Sequence, residues 1–200
     1  MLTRELICCG ASGSILHNTR LIYLNQKTDK RLAMKSKAVE DALNKQINEE
    51  LQSAYHYLAV SAEADRQGLP GFANWFKMQY QEELAHADKF FHYVLERDGE
   101  VKLDQLEAPV IKDKTPLGLF EGALAHEQHI SACIFSLKDL ARAESDHATD
   151  VFLEWFVTEQ VEEEANARGV IDQLKMIEGN KNGLFMVDRE LAGRKPEVEE

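Results

Sequence analysis

Residues 80–86 read Tyr-Gln-Glu-Glu-Leu-Ala-His, and residues 155–164 read Trp-Phe-Val-Thr-Glu-Gln-Val-Glu-Glu-Glu. In each stretch a polar residue, Glu83 or Gln160, stands where a helical stripe would carry an apolar one. The first belongs to the run Phe72, Phe76, Gln79, Glu83, His86, Phe90, Tyr93; the second to Phe152, Phe156, Gln160, Glu163, Ala167, Val170, Leu174. Steps of three and four keep each run on one helix face. Two further runs behave alike: Leu43, Ile47, Glu50, Ala54, Tyr57, Ser61, and Phe120, Leu124, Glu127, Ser131, Ile134. Four amphipathic helices, each with one acid or amide set into its inward stripe, are therefore expected.

The connections decide how they pack. Gly68-Leu-Pro-Gly71 separates a first helix, about 37–66, from a second, about 71–97. Asp98-Gly99 ends the second, and residues 98–115, with Pro109, show no period. Thr115-Pro116 reads as the cap and first turn of a third helix. A turn at 145–147 leads to a fourth, closed by Gly179-Asn-Lys-Asn-Gly183, and residues 184–192 suit a short fifth before a frayed end. Short turns make antiparallel hairpins of helices one–two and three–four. The middle link must bridge roughly 38 Å of helix at ~1.5 Å per residue. Its 18 residues reach about 59 Å when extended. The expectation is an all-α four-helix bundle with a long crossover between the second and third helices.

Composition narrows the function. Of 200 residues, 23 are Lys or Arg and 35 are Asp or Glu, a net charge of −12 with histidine neutral. That acid excess argues against nucleic acid as a partner, since phosphate backbones need a basic face. No apolar run approaches the ~18 residues of a membrane span. Cys8, Cys9 and Cys133 do not make a disulfide framework, which points to a reducing, cytoplasmic compartment. Residues 1–33 differ from the rest, with five basic residues against two acidic; from Met34 onward the balance is 18 against 33. The segment is expected to be a start assigned too far upstream, a disordered tail, or a transit peptide to an organelle. Residues 34–200 form the domain.

Glu50 and Glu83 are 33 residues apart, and so are Glu127 and Gln160. The midpoints fall at the two hairpin turns, so all four side chains reach one depth of the core. His86 follows Glu83 by one turn and Glu163 follows Gln160 by one turn, each pair sharing a face. A shift of 77 residues maps Glu50, Glu82, Glu83 and His86 onto Glu127, Glu159, Gln160 and Glu163. A single acid on such a stripe is usually a snorkelling boundary residue; three acids and an amide at matched depth are not. Burying several carboxylates costs several kcal/mol per ion without countercharge, and no Lys or Arg stands on these stripes at that level. Metal cations are the missing partner. Oxygen-rich ligation with one imidazole suits iron, with manganese or zinc able to intrude.

The segments Asn48-Glu-Glu-Leu51, Tyr80–His86, His126-Glu-Gln128 and Trp155–Glu164 closely resemble bacterial non-haem ferritin, and Gly183-Leu-Phe-Met-Val-Asp-Arg-Glu-Leu191 looks like its fifth helix. The resemblance covers residues 34–200. It implies a ferroxidase di-iron centre with Glu50, Glu83 and His86 on one iron and Glu83, Glu127 and Glu163 on the other. Glu83 would bridge, Gln160 would lie close by, and Tyr57 would stand beside the site. Glu82, Glu159, Glu162 and Glu163 match a third iron site, for which a solvated acidic face is the bland reading. The implied partners are Fe(II), dioxygen or hydrogen peroxide, and a homo-oligomeric shell of 24 subunits. The string Gln160-Val-Glu-Glu163 departs from the second Glu-x-x-His of bacterioferritins and di-iron oxidases. Leu84 stands where haem-binding bacterioferritin has methionine, so no haem is expected. A soluble oxidase acting on an organic substrate and a helical scaffold with structural acids are the competing functions. His56, His92, His126, His129 and His147 show no ligand pattern and are expected at the surface; Cys133 is expected as a small core residue.

Overall fold

The computed structural model describes residues 33–195. Among them are helices α1 (Lys37–Arg66), α2 (Pro70–Glu96), α3 (Pro116–Ala143), α4 (His147–Met176) and α5 (Lys181–Leu191), with no strand. Their starts follow from capping chemistry. The Ser36 hydroxyl accepts from Val39 N, the Thr115 hydroxyl from Gly118 N at 3.0 Å, and the Asp146 carboxylate from Thr149 N at 3.2 Å. The fourth helix therefore begins at His147, inside the expected turn. The fifth begins three residues earlier than its apolar pattern suggested, because Asn180 Oδ1 accepts from the amides of Asn182 and Gly183. The segment 1–33 lies outside the described residues save Ala33, as does the acidic end 196–200.

Each hairpin is antiparallel, and α1 lies along α3, while α2 and α4 meet through side chains, Phe90 stacking on Phe156 and Gln79 bonding Glu163. The crossover is fastened to α1 by a ladder of side-chain amides that the hydrophobic pattern did not reveal. Asn44, Asn48 and Gln52, one turn apart, accept from the backbone amides of Lys102, Asp104 and Glu107 at 2.6, 2.8 and 2.7 Å. The same three side chains donate to the carbonyls of Glu100, Lys102 and Glu107. Six backbone groups of an irregular, largely exposed strap are thereby paired.

The core has two apolar blocks. One gathers Tyr57, Phe72, Phe76, Phe120 and Leu174 near α5; the other gathers Leu43, Ile47, Phe90, Ile134 and Phe156 toward the opposite end. Burying such side chains stabilises by ~1.5–3 kcal/mol each. Between the blocks lies the polar layer.

The residue that precedes helix α2, Leu69, has no side chain able to cap it. Asp188 of α5 supplies the cap instead, its Oδ1 accepting from Gly71 N at 2.8 Å and Phe72 N at 3.1 Å. A Cβ built on Gly71 would stand 1.6 Å from the Asp188 carbonyl oxygen, so only glycine admits α5 there. Asp188→Ala is expected to cost about 1 kcal/mol, the usual price of a lost cap, and to lower the thermal midpoint by ~2–4 °C. Gly71→Ala should do more, by displacing α5. Circular-dichroism melts of both variants check this; an unchanged midpoint for Gly71→Ala would refute the docking argument.

Candidate metal centre

Glu50, Glu83, Glu127 and Gln160 are all buried, none more than 3% exposed, and occupy the layer between the two blocks. One ligand atom each from Glu50, Glu83 and His86 lies within 4.8 Å of the others, and the same holds for His86, Glu159 and Glu163. His86 is thus common to two groupings. Its Nδ1 is 3.4 Å from Glu83 Oε2, and its Nε2 is 3.9 Å from Glu159 Oε1. Glu127 stands across the layer, where Tyr57 donates its hydroxyl to Oε1 and Gln160 Nε2 approaches Oε2 at 3.3 Å.

Two residues that the sequence reading left without a role hold the layer in place. Gln46 Nε2 donates to Glu50 Oε1 at 2.9 Å, and Gln79 Nε2 donates to Glu163 Oε2 at 2.7 Å. The available signal was position: Gln46 precedes Glu50, and Gln79 precedes Glu83, by one turn on the same face. Glu50 Oε2 and Glu83 Oε2 are buried and accept no hydrogen bond. Two inward carboxylate oxygens without donors are the chemistry a cation completes.

The outer acids are less uniform. Glu159 is partly exposed and close to His86, while Glu162 is fully at the surface. Glu82 Oε2 pairs with Arg194, beyond α5, at 2.6 Å, and that guanidinium also lies 4.7 Å from the Trp75 ring. This cation comes from outside the four stripes, where the apolar pattern offered no hint of it.

Three expectations need correction. His126 is not a surface residue: it is half-buried, its Nε2 is 2.7 Å from Ser53 Oγ, and burial lowers its pKa to about 4. Cys133 is not a core residue but partly exposed. His129, although exposed, groups with Cys133 and Glu49, so the expectation that it had no ligand pattern also fails.

Desolvation dominates the electrostatics. Burial, then the neighbouring Glu83, pushes the Glu50 carboxyl well above its usual range. Burial, then Glu127 and Glu163, does the same to Glu83. Burial raises Glu127 against the relief of its bonds from Tyr57 and Gln160. Burial, then Glu127 and Glu82, raises Glu163 to about 8. Burial and Glu127 keep the Tyr57 hydroxyl protonated far above the ordinary tyrosine value, so it acts as a donor.

These features define a class: an all-α bundle with a buried carboxylate–histidine layer. Residues 40–177 match the family model of the ferritin-like domain. The chain is 41% identical over 161 residues to a bacterial non-heme ferritin of Bacteroides fragilis, covering 80% of this chain and 100% of that relative. A relative of the same name from Staphylococcus epidermidis is 38% identical, covering 80% of this chain and 97% of the relative. An open-pore ferritin from the hyperthermophilic archaeon Archaeoglobus fulgidus superposes with a TM-score of 0.79 at 44% identity, covering 81% of this chain and 100% of that one. The chain belongs to the ferritin-like family.

The raised carboxyls set a pH dependence of the metal-free protein. A folded-state pKa above the unfolded ~4.3 means the folded state binds more protons, so this stability is lost as pH rises toward the folded value. His126 works with the opposite sign, but its contribution is complete above the ordinary histidine value of ~6.5. Between about pH 6.5 and 8 the chelator-treated protein should therefore melt progressively lower, with Glu163 titrating to about 8. Glu163→Gln should flatten the slope and raise the midpoint at pH 8. Melts across that window test it; a flat wild-type profile would contradict the assignment.

Proposed function

We propose that this chain is the subunit of an iron-storage ferritin that oxidises Fe(II) at an intra-subunit dinuclear centre and deposits Fe(III) mineral inside a hollow shell of 24 copies. The observation that carries the reading is the convergence of Glu50, Glu83 and His86, with two inward carboxylate oxygens accepting no hydrogen bond. Glu50, Glu83 and His86 take one iron; Glu83, Glu127 and Glu163 take the other, with Glu83 between them and Gln160 adjacent. The relatives named as non-heme ferritins and the archaeal ferritin structure support the same reading. Its setting is the cytoplasm, as the cysteine usage suggests.

The side chains divide the work. Fe(II) arrival displaces the protons that burial holds on Glu50, Glu83 and Glu163, so metal charge replaces proton charge in the layer. Gln46, Gln79 and Gln160 fix the carboxylates by neutral donation, and Tyr57 holds Glu127. Two adjacent irons each give up one electron, so dioxygen or hydrogen peroxide meets a two-electron donor and leaves as hydrogen peroxide or water, respectively. Two protons are consumed in either case. Glu82, Glu159, Glu162 and Glu163 are proposed as the third iron site, in which Arg194 already balances Glu82.

Glu83 alone serves both irons. Glu83→Ala should lower the rate of rapid Fe(II) oxidation by on the order of 10²-fold or more, while Glu50→Ala and His86→Ala slow it less. Stopped-flow absorbance at two Fe(II) per subunit measures this, with circular dichroism to verify folding. A folded Glu83→Ala protein with an unaltered rate would sink the dinuclear assignment. Changing Glu159 and Glu162 together to Ala should leave the first oxidation intact and alter only the recovery seen in repeated iron additions.

The described fold begins at Met34, whose amide donates to the Arg97 carbonyl at 2.8 Å. A chain starting at Met34 should assemble and oxidise iron like the full one. Size-exclusion chromatography and the same kinetic assay would reveal a contrary result as failed assembly.

A further inference from the structure

On the side of the bundle where α1 meets α3, Glu49, His129 and Cys133 bring one ligand atom each within 4.8 Å of the others. We propose that they form an accessory site for a borderline-soft divalent cation of the zinc class, separate from the carboxylate layer. His129 Nε2 lies 3.2 Å from Glu49 Oε2 and 3.6 Å from Cys133 Sγ. Zinc held tetrahedrally with Zn–N and Zn–O near ~2.0 Å and Zn–S near ~2.3 Å sets N···O at ~3.3 Å and N···S at ~3.5 Å. The two observed separations lie within ~0.1 Å of those edges. The third edge, from Glu49 to Cys133, is no longer than 4.8 Å.

Hydrogen bonding explains this arrangement less well. A single imidazole nitrogen carries one proton or one lone pair, so it serves both Glu49 and Cys133 only through a weaker shared, three-centre bond; a cation engages all three. The other Glu49 oxygen is 3.7 Å from Lys45 Nζ, which leaves Oε2 for the site. Beside it opens a cavity of about 310 Å³ lined by Lys45, Gln46, His129 and Cys133. That is ample for an ion with a water in its fourth position, given ~30 Å³ per water.

The donor set decides the metal. Thiolate and imidazole favour zinc over hard cations, whereas the carboxylate layer offers no sulfur at all. Binding forms a metal–sulfur bond and releases the thiol proton to solvent, one per ion. The site lies close to the proposed centre: Glu49 precedes Glu50, and Gln46, on the cavity wall, donates to Glu50. The inference nevertheless does not rest on the iron-storage reading.

The probe is Co(II), added to the full-length, reduced, chelator-stripped chain. The expected signal is one equivalent per chain of a thiolate-to-cobalt charge-transfer band in the near ultraviolet, which cobalt in the sulfur-free layer cannot produce. Cys133→Ser should abolish the band, His129→Ala should weaken binding by on the order of tenfold or more, and replacing Cys8 and Cys9 together by Ser should leave it intact. In the unmutated chain, Zn(II) should protect Cys133 from alkylation, read by peptide mass. Absence of the band, its survival in Cys133→Ser, or its loss with Cys8 and Cys9 would overturn the proposal. Unprotected Cys133 at saturating zinc would overturn it equally, and none of these outcomes touches the iron chemistry.

Discussion

Several carboxyl groups buried at one depth of an apolar bundle are an arrangement that folding alone would not select. Each ionised carboxylate removed from water costs several kcal/mol, and Glu50, Glu83, Glu127 and Glu163 are all within 3% of complete burial. The rest of the molecule is organised around tolerating that layer. Apolar blocks above and below it supply the burial energy, the largest side chains being Tyr57, Phe72, Phe76, Phe90, Phe120 and Phe156. Without metal, the acids take up protons rather than stand ionised, which is why their pKa values all move upward. In the metal-free layer, proton uptake meets the demand for countercharge.

The layer and the helices were legible in the sequence because both are periodic. Glu50, Glu83, Glu127 and Gln160 interrupt apolar stripes at regular spacing, and spacing from a turn translates directly into depth. What periodicity does not encode was missed. The amide ladder of Asn44, Asn48 and Gln52 pairs with irregular backbone, so its partners have no pattern to match. Arg194 reaches Glu82 from 112 residues away in the chain. Cys133 and His129 sit one turn apart on α3, but their third partner, Glu49, is on another helix. Contacts that depend on which helix sides meet appear only once the bundle is built.

The short fifth helix illustrates a second economy. Pro70 opens α2 with its fixed φ and absent N–H, but Leu69 has no side chain able to receive the amides that follow. Asp188 receives two of them from a different helix. A negative charge placed at a helix N-terminus is favourable through the helix dipole as well as the hydrogen bonds. Beyond α5, Asn74 donates to the carbonyls of Leu191 and Arg194, and Arg194 then closes on Glu82. One short element thus caps a long helix and delivers a cation to the edge of the acidic layer.

Within the layer itself, cations are withheld. Gln46, Gln79 and Gln160 orient Glu50, Glu163 and Glu127, and Tyr57 adds a hydroxyl to Glu127. Each of these donors is neutral. An arginine or lysine in the same places would orient the carboxylates equally well and bring more hydrogen-bond energy, yet it would cancel the charge that a metal must find. Neutral amides fix geometry while leaving the electrostatic demand unmet, so the free energy of that demand remains available to metal binding. The same logic separates the inner acids from the outer ones: Glu82, at the edge, has its countercharge in Arg194, whereas Glu50 Oε2 and Glu83 Oε2 accept no hydrogen bond, although His86 Nδ1 stands 3.4 Å from the latter. The bundle leaves that demand open at the layer, and the centre proposed for iron would draw its affinity from it.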